Sequence, residues 1–114
     1  MRLLFVCSMN RLRSPTAEAV FSDFEHVTAL SAGTDPDAET PISGDLIEWA
    51  DIVFAMEAAH SQRLKRRFGK LMNSKKIVVL GIPDEYDYMD PELVRILRKK
   101  VIPFLPASAS SESL

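Results

Sequence analysis

Leu3-Leu4-Phe5-Val6-Cys7-Ser8-Met9-Asn10-Arg11-Leu12-Arg13-Ser14-Pro15 opens with four apolar residues in a row. A continuous apolar run this short fits a strand buried on both faces of a parallel sheet. Ser14-Pro15 then signals a helix, with Ser14 as its cap and Pro15 in its first turn. Ala17, Val20, Phe21 and Phe24 give that helix an apolar face. Between strand and helix lies a short polar loop holding the only cysteine.

The alternation continues along the chain. Val27 to Ala32 reads as a second strand closed by Gly33, and a polar loop follows. Thr40-Pro41 predicts the start of a helix reaching to about residue 50, with Leu46, Ile47 and Trp49 inward. Ile52 to Met56 is a third buried strand, and residues 57 to about 71 form an amphipathic helix around Leu64 and Phe68. Lys76 to Leu80 is a fourth strand ending at Gly81. Asp90-Pro91 caps a last helix carrying Leu93, Val94, Leu97 and Val101, which Pro103 ends. Strands and helices in strict alternation predict a three-layer α/β/α domain over residues 1–106, with a four-stranded parallel sheet in the order 2-1-3-4. The segment 107–114, Ala-Ser-Ala-Ser-Ser-Glu-Ser-Leu, is predicted to be a disordered tail.

Composition narrows the function. With 46% hydrophobic and 26% charged residues, 114 residues can bury one modest core without a metal or disulfide. A formal net charge of -2 argues against a general nucleic-acid binder. One cysteine allows no internal disulfide and no paired-cysteine metal site, and His26 and His60 show no zinc spacing. The apolar run at residues 3–6 is too short for a signal peptide or a membrane span. The expectation is a cytoplasmic protein with no membrane partner, no metal and no cofactor. Oligomeric state is left open.

The loop carries the chemistry. Five residues separate Cys7 from Arg13. A loop of this length between a buried strand and a helix N-terminus can wrap a tetrahedral anion, with backbone amides turned inward as a nest. Arg13 offers a planar fork to two phosphate oxygens. The positive field of the helix end and of Arg13 favours a thiolate at Cys7, the nucleophilic form, and Ser14 can donate a hydrogen bond to that sulfur. Asn10 tolerates the left-handed backbone that a nest requires. Ser8, Met9, Asn10, Arg11, Leu12, Arg13 and Ser14 together form the candidate phosphate-binding segment.

This segment resembles the signature of the low-molecular-weight protein tyrosine phosphatases, Cys-x-Gly-Asn-x-Cys-Arg-Ser-Pro, at Cys7, Asn10, Arg13, Ser14 and Pro15, followed by Ala17-Glu18. Met9 and Leu12 stand where the family has glycine and a second cysteine. Ser31-Ala32-Gly33-Thr34, Asp51 to Met56, and Ile82-Pro83-Asp84 with Tyr86 resemble three further family segments. The resemblance implies a cysteine-dependent phosphomonoesterase acting through a phosphocysteine on a phosphoprotein or a small aryl phosphate. Cys7 would be the nucleophile, Arg13 the clamp and Asp84 the general acid. Asn10 would hold the loop, bonded to Ser31, with Tyr86 supporting.

Alternatives stay open at this stage. Asp87 and Asp90 rival Asp84, although Asp90 also reads as a helix cap. Tyr86 and Tyr88 either wall the cleft or pack in loops. Arg11 either recruits an acidic or doubly phosphorylated substrate or is a solvated charge. The basic run from Arg63 to Lys76 reads as the wet face of a helix, and His60 and His26 as surface or boundary residues. A non-catalytic phosphopeptide-binding module, or an arsenate reductase using an external thiol, are the competing functions.

Overall fold

The computed structural model describes residues 1–106, and the predicted tail lies outside them. Four parallel strands, β1 (Arg2–Cys7), β2 (Thr28–Gly33), β3 (Ile52–Ala55) and β4 (Lys76–Val79), form one sheet in the order β2-β1-β3-β4. The predicted order is therefore observed. β1 lies at the centre because its residues are buried from Leu3 to Cys7, so helices must cover both of its faces.

Alternation along β1 sorts the two cores. Leu3, Phe5 and Cys7 face α1 (Arg13–Phe21) and α4 (Pro91–Val101), where Phe5 stacks on Phe21 and Phe54 at centroid separations of 5.5 and 5.2 Å. Leu4 and Val6 face the other way, into a smaller cluster with Ile47 of α2 (Gly44–Trp49) and Leu64 of α3 (Ala58–Asn73). A side-chain period of two thus sends Cys7 toward the α1 side of the sheet and the next residue, Ser8, toward the α3 side.

Several boundaries differ from the sequence reading, each for a physical reason. The first helix starts at Arg13 with Leu12 in the capping position and no side-chain cap. Ser14 lies inside the first turn, its hydroxyl engaged with Asn10 and Cys7 instead. That helix ends at Phe21, yet Phe24 in the following turn still packs against Phe21 at 5.1 Å. Thr40-Pro41 starts no helix. The Thr40 carbonyl accepts from Gly33 N–H at 2.8 Å, Pro41 bridges to Gly33, and Ser43 caps the short α2 by accepting from Leu46 N–H. β4 is an edge strand, half-exposed rather than fully buried. The last helix starts as read: Asp90 accepts from Glu92 N–H at 2.9 Å, with Pro91 in the first turn.

Gly33 fixes the distance between β2 and the loop after β1. It pairs in register with Cys7, and a Cβ there would stand 2.4 Å from the Ser8 carbonyl oxygen and 2.5 Å from Ala38 Cβ. No real Cβ tolerates either approach. Gly33→Ala is expected to push the Cys7–Asn10 backbone outward, lowering the melting temperature in calorimetry together with phosphate affinity. Gly69→Ala, at a helical position with nothing within 4 Å, is expected to hold or raise the melting temperature, since alanine is the better helix former.

Candidate active site

The C-terminal ends of β1 and β3 meet the N-termini of α1 and α3, the place where ligands bind in open α/β sheets. There Cys7, Ser8, Met9, Arg11, Leu12, Arg13 and Asp84 line a bowl of about 240 Å³. The predicted phosphate loop is thus gathered around one concavity, with Cys7 nearly buried at 4% exposure. Asn10 and Ser14 stand behind it. Asn10 has φ 56°, the left-handed backbone predicted for it. Met9 is not among the residues with positive φ, so its side chain is accommodated without strain where the family pattern has glycine.

A chain of three polar groups supports the sulfur. Ser14 Oγ lies 2.9 Å from Cys7 Sγ and donates to Asn10 Oδ1 at 2.8 Å. One hydroxyl proton serves two neighbours. With Cys7 as a thiol, S–H donates to Ser14, and Ser14 donates to Asn10. With Cys7 as a thiolate, the Ser14 proton must turn to sulfur, and the Asn10 amide must then present its NH₂ to the serine oxygen. Ser31 takes no part: its hydroxyl donates to Glu18 Oε1 at 2.7 Å, correcting its expected pairing with Asn10. Ser31 supports the strand next door rather than the loop itself.

Arg13 is only 4% exposed, and a buried guanidinium is costly unless its N–H groups are satisfied. Nη1 donates to Glu57 Oε2 at 2.6 Å and to the Ile82 carbonyl at 2.8 Å, while Nε lies 3.7 Å from Asp84 Oδ1. One cation therefore joins the start of α1, the β3–α3 junction and the loop after β4. That loop is tied down at its far end as well, where Met89 N–H donates to Thr16 Oγ1 at 2.9 Å. Asp84 is well exposed at the rim, and it is the one aspartate of the three candidates that reaches the bowl. Tyr86 packs on the α1–α4 core and Tyr88 is exposed, so neither walls the bowl. Arg11 stands on the rim, 4.0 Å from Glu39.

Two residues of this site escaped the sequence reading. Glu57 caps α3, and the Arg13 hydrogen bond holds its carboxyl below the usual glutamate range. His60, expected at the surface, is 2% exposed. Its Nδ1 accepts from Glu57 N–H at 3.1 Å, which leaves the proton on Nε2, and Nε2 faces Ser8 Oγ at 3.0 Å. The ring therefore donates to Ser8, and the serine proton is free to point into the bowl. Two signals in the sequence hinted at this: the pairing of Glu57 with His60 three residues later, and the place of His60 one turn before Leu64 on the apolar stripe of the helix.

These features define a class: parallel α/β proteins whose first strand-to-helix loop is a cysteine-floored anion cup. Solved structures of that class are similar over most of the chain. The low molecular weight protein tyrosine phosphatase from Bacillus subtilis is 26% identical, with a TM-score of 0.68 over 90% of this chain and 98% of that one. A YwlE arginine phosphatase mutant with a phosphorylated active-site serine is 25% identical, with a TM-score of 0.70 over 91% and 95%. SP-PTP from Streptococcus pyogenes, 18% identical, shares the fold at a TM-score of 0.74 over 93% and 94%. No family model and no curated protein matches the chain. In fold this chain is similar to the low-molecular-weight protein tyrosine phosphatases.

Burial, and then the nearby Arg13 charge, lower the His60 pKa below 6.5. The unfolded chain therefore takes up a proton that the folded chain refuses, and stability falls as pH drops from about 6.5 toward the lowered value. His60→Gln is expected to remove that part of the slope in melting temperatures measured from pH 8 to 5. An unchanged slope would show that His60 does not carry it.

Proposed function

We propose that this chain is a cysteine-dependent phosphomonoesterase that works through a phosphocysteine on Cys7, with residues 1–106 as the working unit. One observation carries the reading: Cys7, the buried Arg13 guanidinium and Asp84 border the same bowl at the end of the central strand. The phosphorylated active-site serine in the C7S mutant of YwlE supports it, because there a side chain of the active site holds the phosphoryl group covalently.

In the first step the Cys7 thiolate attacks phosphorus. An S–P bond forms, the ester P–O bond breaks, and the leaving oxygen takes a proton from Asp84. In the second step the Asp84 carboxylate takes a proton from water, whose oxygen attacks phosphorus. The S–P bond breaks with its electron pair on sulfur, and inorganic phosphate departs. The equatorial oxygens in both steps are held by backbone amides of residues 8–14 and by the Arg13 Nη2 group, which neither Glu57 nor the Ile82 carbonyl occupies. Ser8, turned by His60, adds one hydroxyl donor. Ser14 stabilises the thiolate as entering and leaving group.

The scheme needs no cofactor or metal and uses a free thiol, which suits the reducing cytoplasm. Among the described residues no helix is long and apolar enough to cross a membrane. Arsenate reduction needs further thiols for electron relay, and with a single cysteine this chain would depend on an external thiol for them. The substrate is a phosphorylated molecule, either a phosphoprotein or a small aryl phosphate.

Hydrolysis of p-nitrophenyl phosphate in the presence of a chelator is the direct test. Cys7→Ser is expected to abolish turnover. Asp84→Asn is expected to slow it by about 10²–10⁴-fold, the usual worth of a general acid–base, and Asp87→Asn far less. Tight phosphopeptide binding without any turnover by the unaltered chain would instead make it a binding module.

A further inference from the structure

A second concavity is walled by the segment that backs the Cys7 loop. Thr34, Asp35 and Pro36 form one wall and Arg63, Arg66 and Arg67 of α3 the other, enclosing an open groove of about 630 Å³. The first wall is the back of the nucleophile loop: Thr34 N–H donates to the Cys7 carbonyl at 2.9 Å and Asp35 N–H to the Ser8 carbonyl at 3.0 Å. The second wall continues the helix whose first turns hold Glu57 and His60. The bowl and the groove therefore share their supports.

The groove is strongly cationic in a chain whose formal net charge is -2. Among the described residues none of the three arginines is ion-paired. Asp35 in the opposite wall is engaged by its own loop, accepting from Asp37 N–H at 2.8 Å. Two of the guanidinium groups are steadied in place: Arg63 donates to Thr34 Oγ1 at 3.4 Å, and Arg67 lies over the Phe68 ring at 5.0 Å. Their spacing suits a chain rather than a compact ion. Positions three and four apart share a helix face, and Arg63 and Arg67 are separated by a rise of about 6 Å. Alternate residues of an extended peptide are about 6.6 Å apart and point to one side. Arg63, Arg66 and Arg67 thus present three cations from one helix face to the groove.

We propose that this groove docks an acidic, extended segment of a phosphorylated protein whose phosphate occupies the Cys7 bowl. The inference rests on the phosphatase reading for the bowl, and it deepens that reading from a reaction to a substrate class.

Binding to the Cys7→Ser protein separates docking from chemistry. Two fluorescent phosphotyrosyl peptides are compared by anisotropy, identical except that one carries glutamates at alternate flanking positions and the other glutamines. The acidic peptide is expected to bind roughly tenfold more tightly, the combined worth of a few exposed ion pairs. The advantage should shrink toward unity at about 0.5 M salt, where such pairs are screened. Adding Arg63→Gln, Arg66→Gln and Arg67→Gln should abolish the preference. If that triple variant fails to fold, Arg66→Gln alone should reduce it. Equal affinities for the two peptides, or a preference that survives the arginine changes, would overturn the proposal. So would a single-stranded oligonucleotide of the same net charge that binds as tightly, since it would make the groove a general polyanion or nucleic-acid surface. Absence of turnover by the unaltered chain, with the peptide preference intact, would sink the phosphatase reading and leave the groove standing.

Discussion

The buried Arg13 guanidinium is the constraint around which the site is organised. A cation taken almost wholly out of water is costly, and removing one of its partners costs more than the pair returns. Its Nη1 is satisfied by Glu57 and by the Ile82 carbonyl, on two segments that follow different strands. Meeting one side chain's hydrogen-bond demand thus fixes where the β3–α3 turn and the loop after β4 must lie. That loop then carries Asp84 to the rim, 3.7 Å from the same guanidinium. The Cys7 loop, the β3–α3 turn and Asp84 are brought together by one desolvated charge.

The loop also exploits its place at the end of the central strand. Because β1 is covered on both faces, successive residues at its end reach opposite layers of the molecule. Cys7 meets the α1 side, where Ser14 and Asn10 manage its proton. Ser8 meets the α3 side, where His60 fixes the hydroxyl direction through a tautomer that Glu57 N–H dictates. Two independent helices therefore tune two adjacent positions of one cup. A strand covered on one face only could not supply this arrangement, which ties the chemistry to the three-layer architecture.

The sheet and the nucleophile loop were legible in the sequence because local rules govern them. Leu3 to Val6 can be buried on both faces only in a parallel sheet, and the Cys7–Arg13 spacing is measured along one loop. Residues acting across the fold were not legible. His60 precedes Leu64 by four residues on the buried face of α3, but its partner Ser8 lies 52 positions away. Ser14 obeys the capping rule as a residue type, yet the thiol behind it claims its hydroxyl. Thr40-Pro41 carries a sound helix-start signal that the pairing of Gly33 with Thr40 and Pro41 overrides. Tyr86 and Tyr88 follow the acid loop in sequence, but the turn after Asp84 directs one to the core and one to solvent.

The segment from Gly33 to Ile42 couples what would otherwise be two separate surfaces. Gly33 closes it at one end through bonds to Thr40 and Ile42, and its inner side bonds to the carbonyls of Cys7, Ser8 and Met9. Those three carbonyls are thereby satisfied by the amides of Thr34, Asp35 and Glu39. The outer side of the segment forms the wall of the arginine groove. A segment bonded this tightly to residues 7–9 holds the Cys7 loop from behind while it walls the arginine groove, and it reaches that loop through a glycine for which no other side chain leaves room.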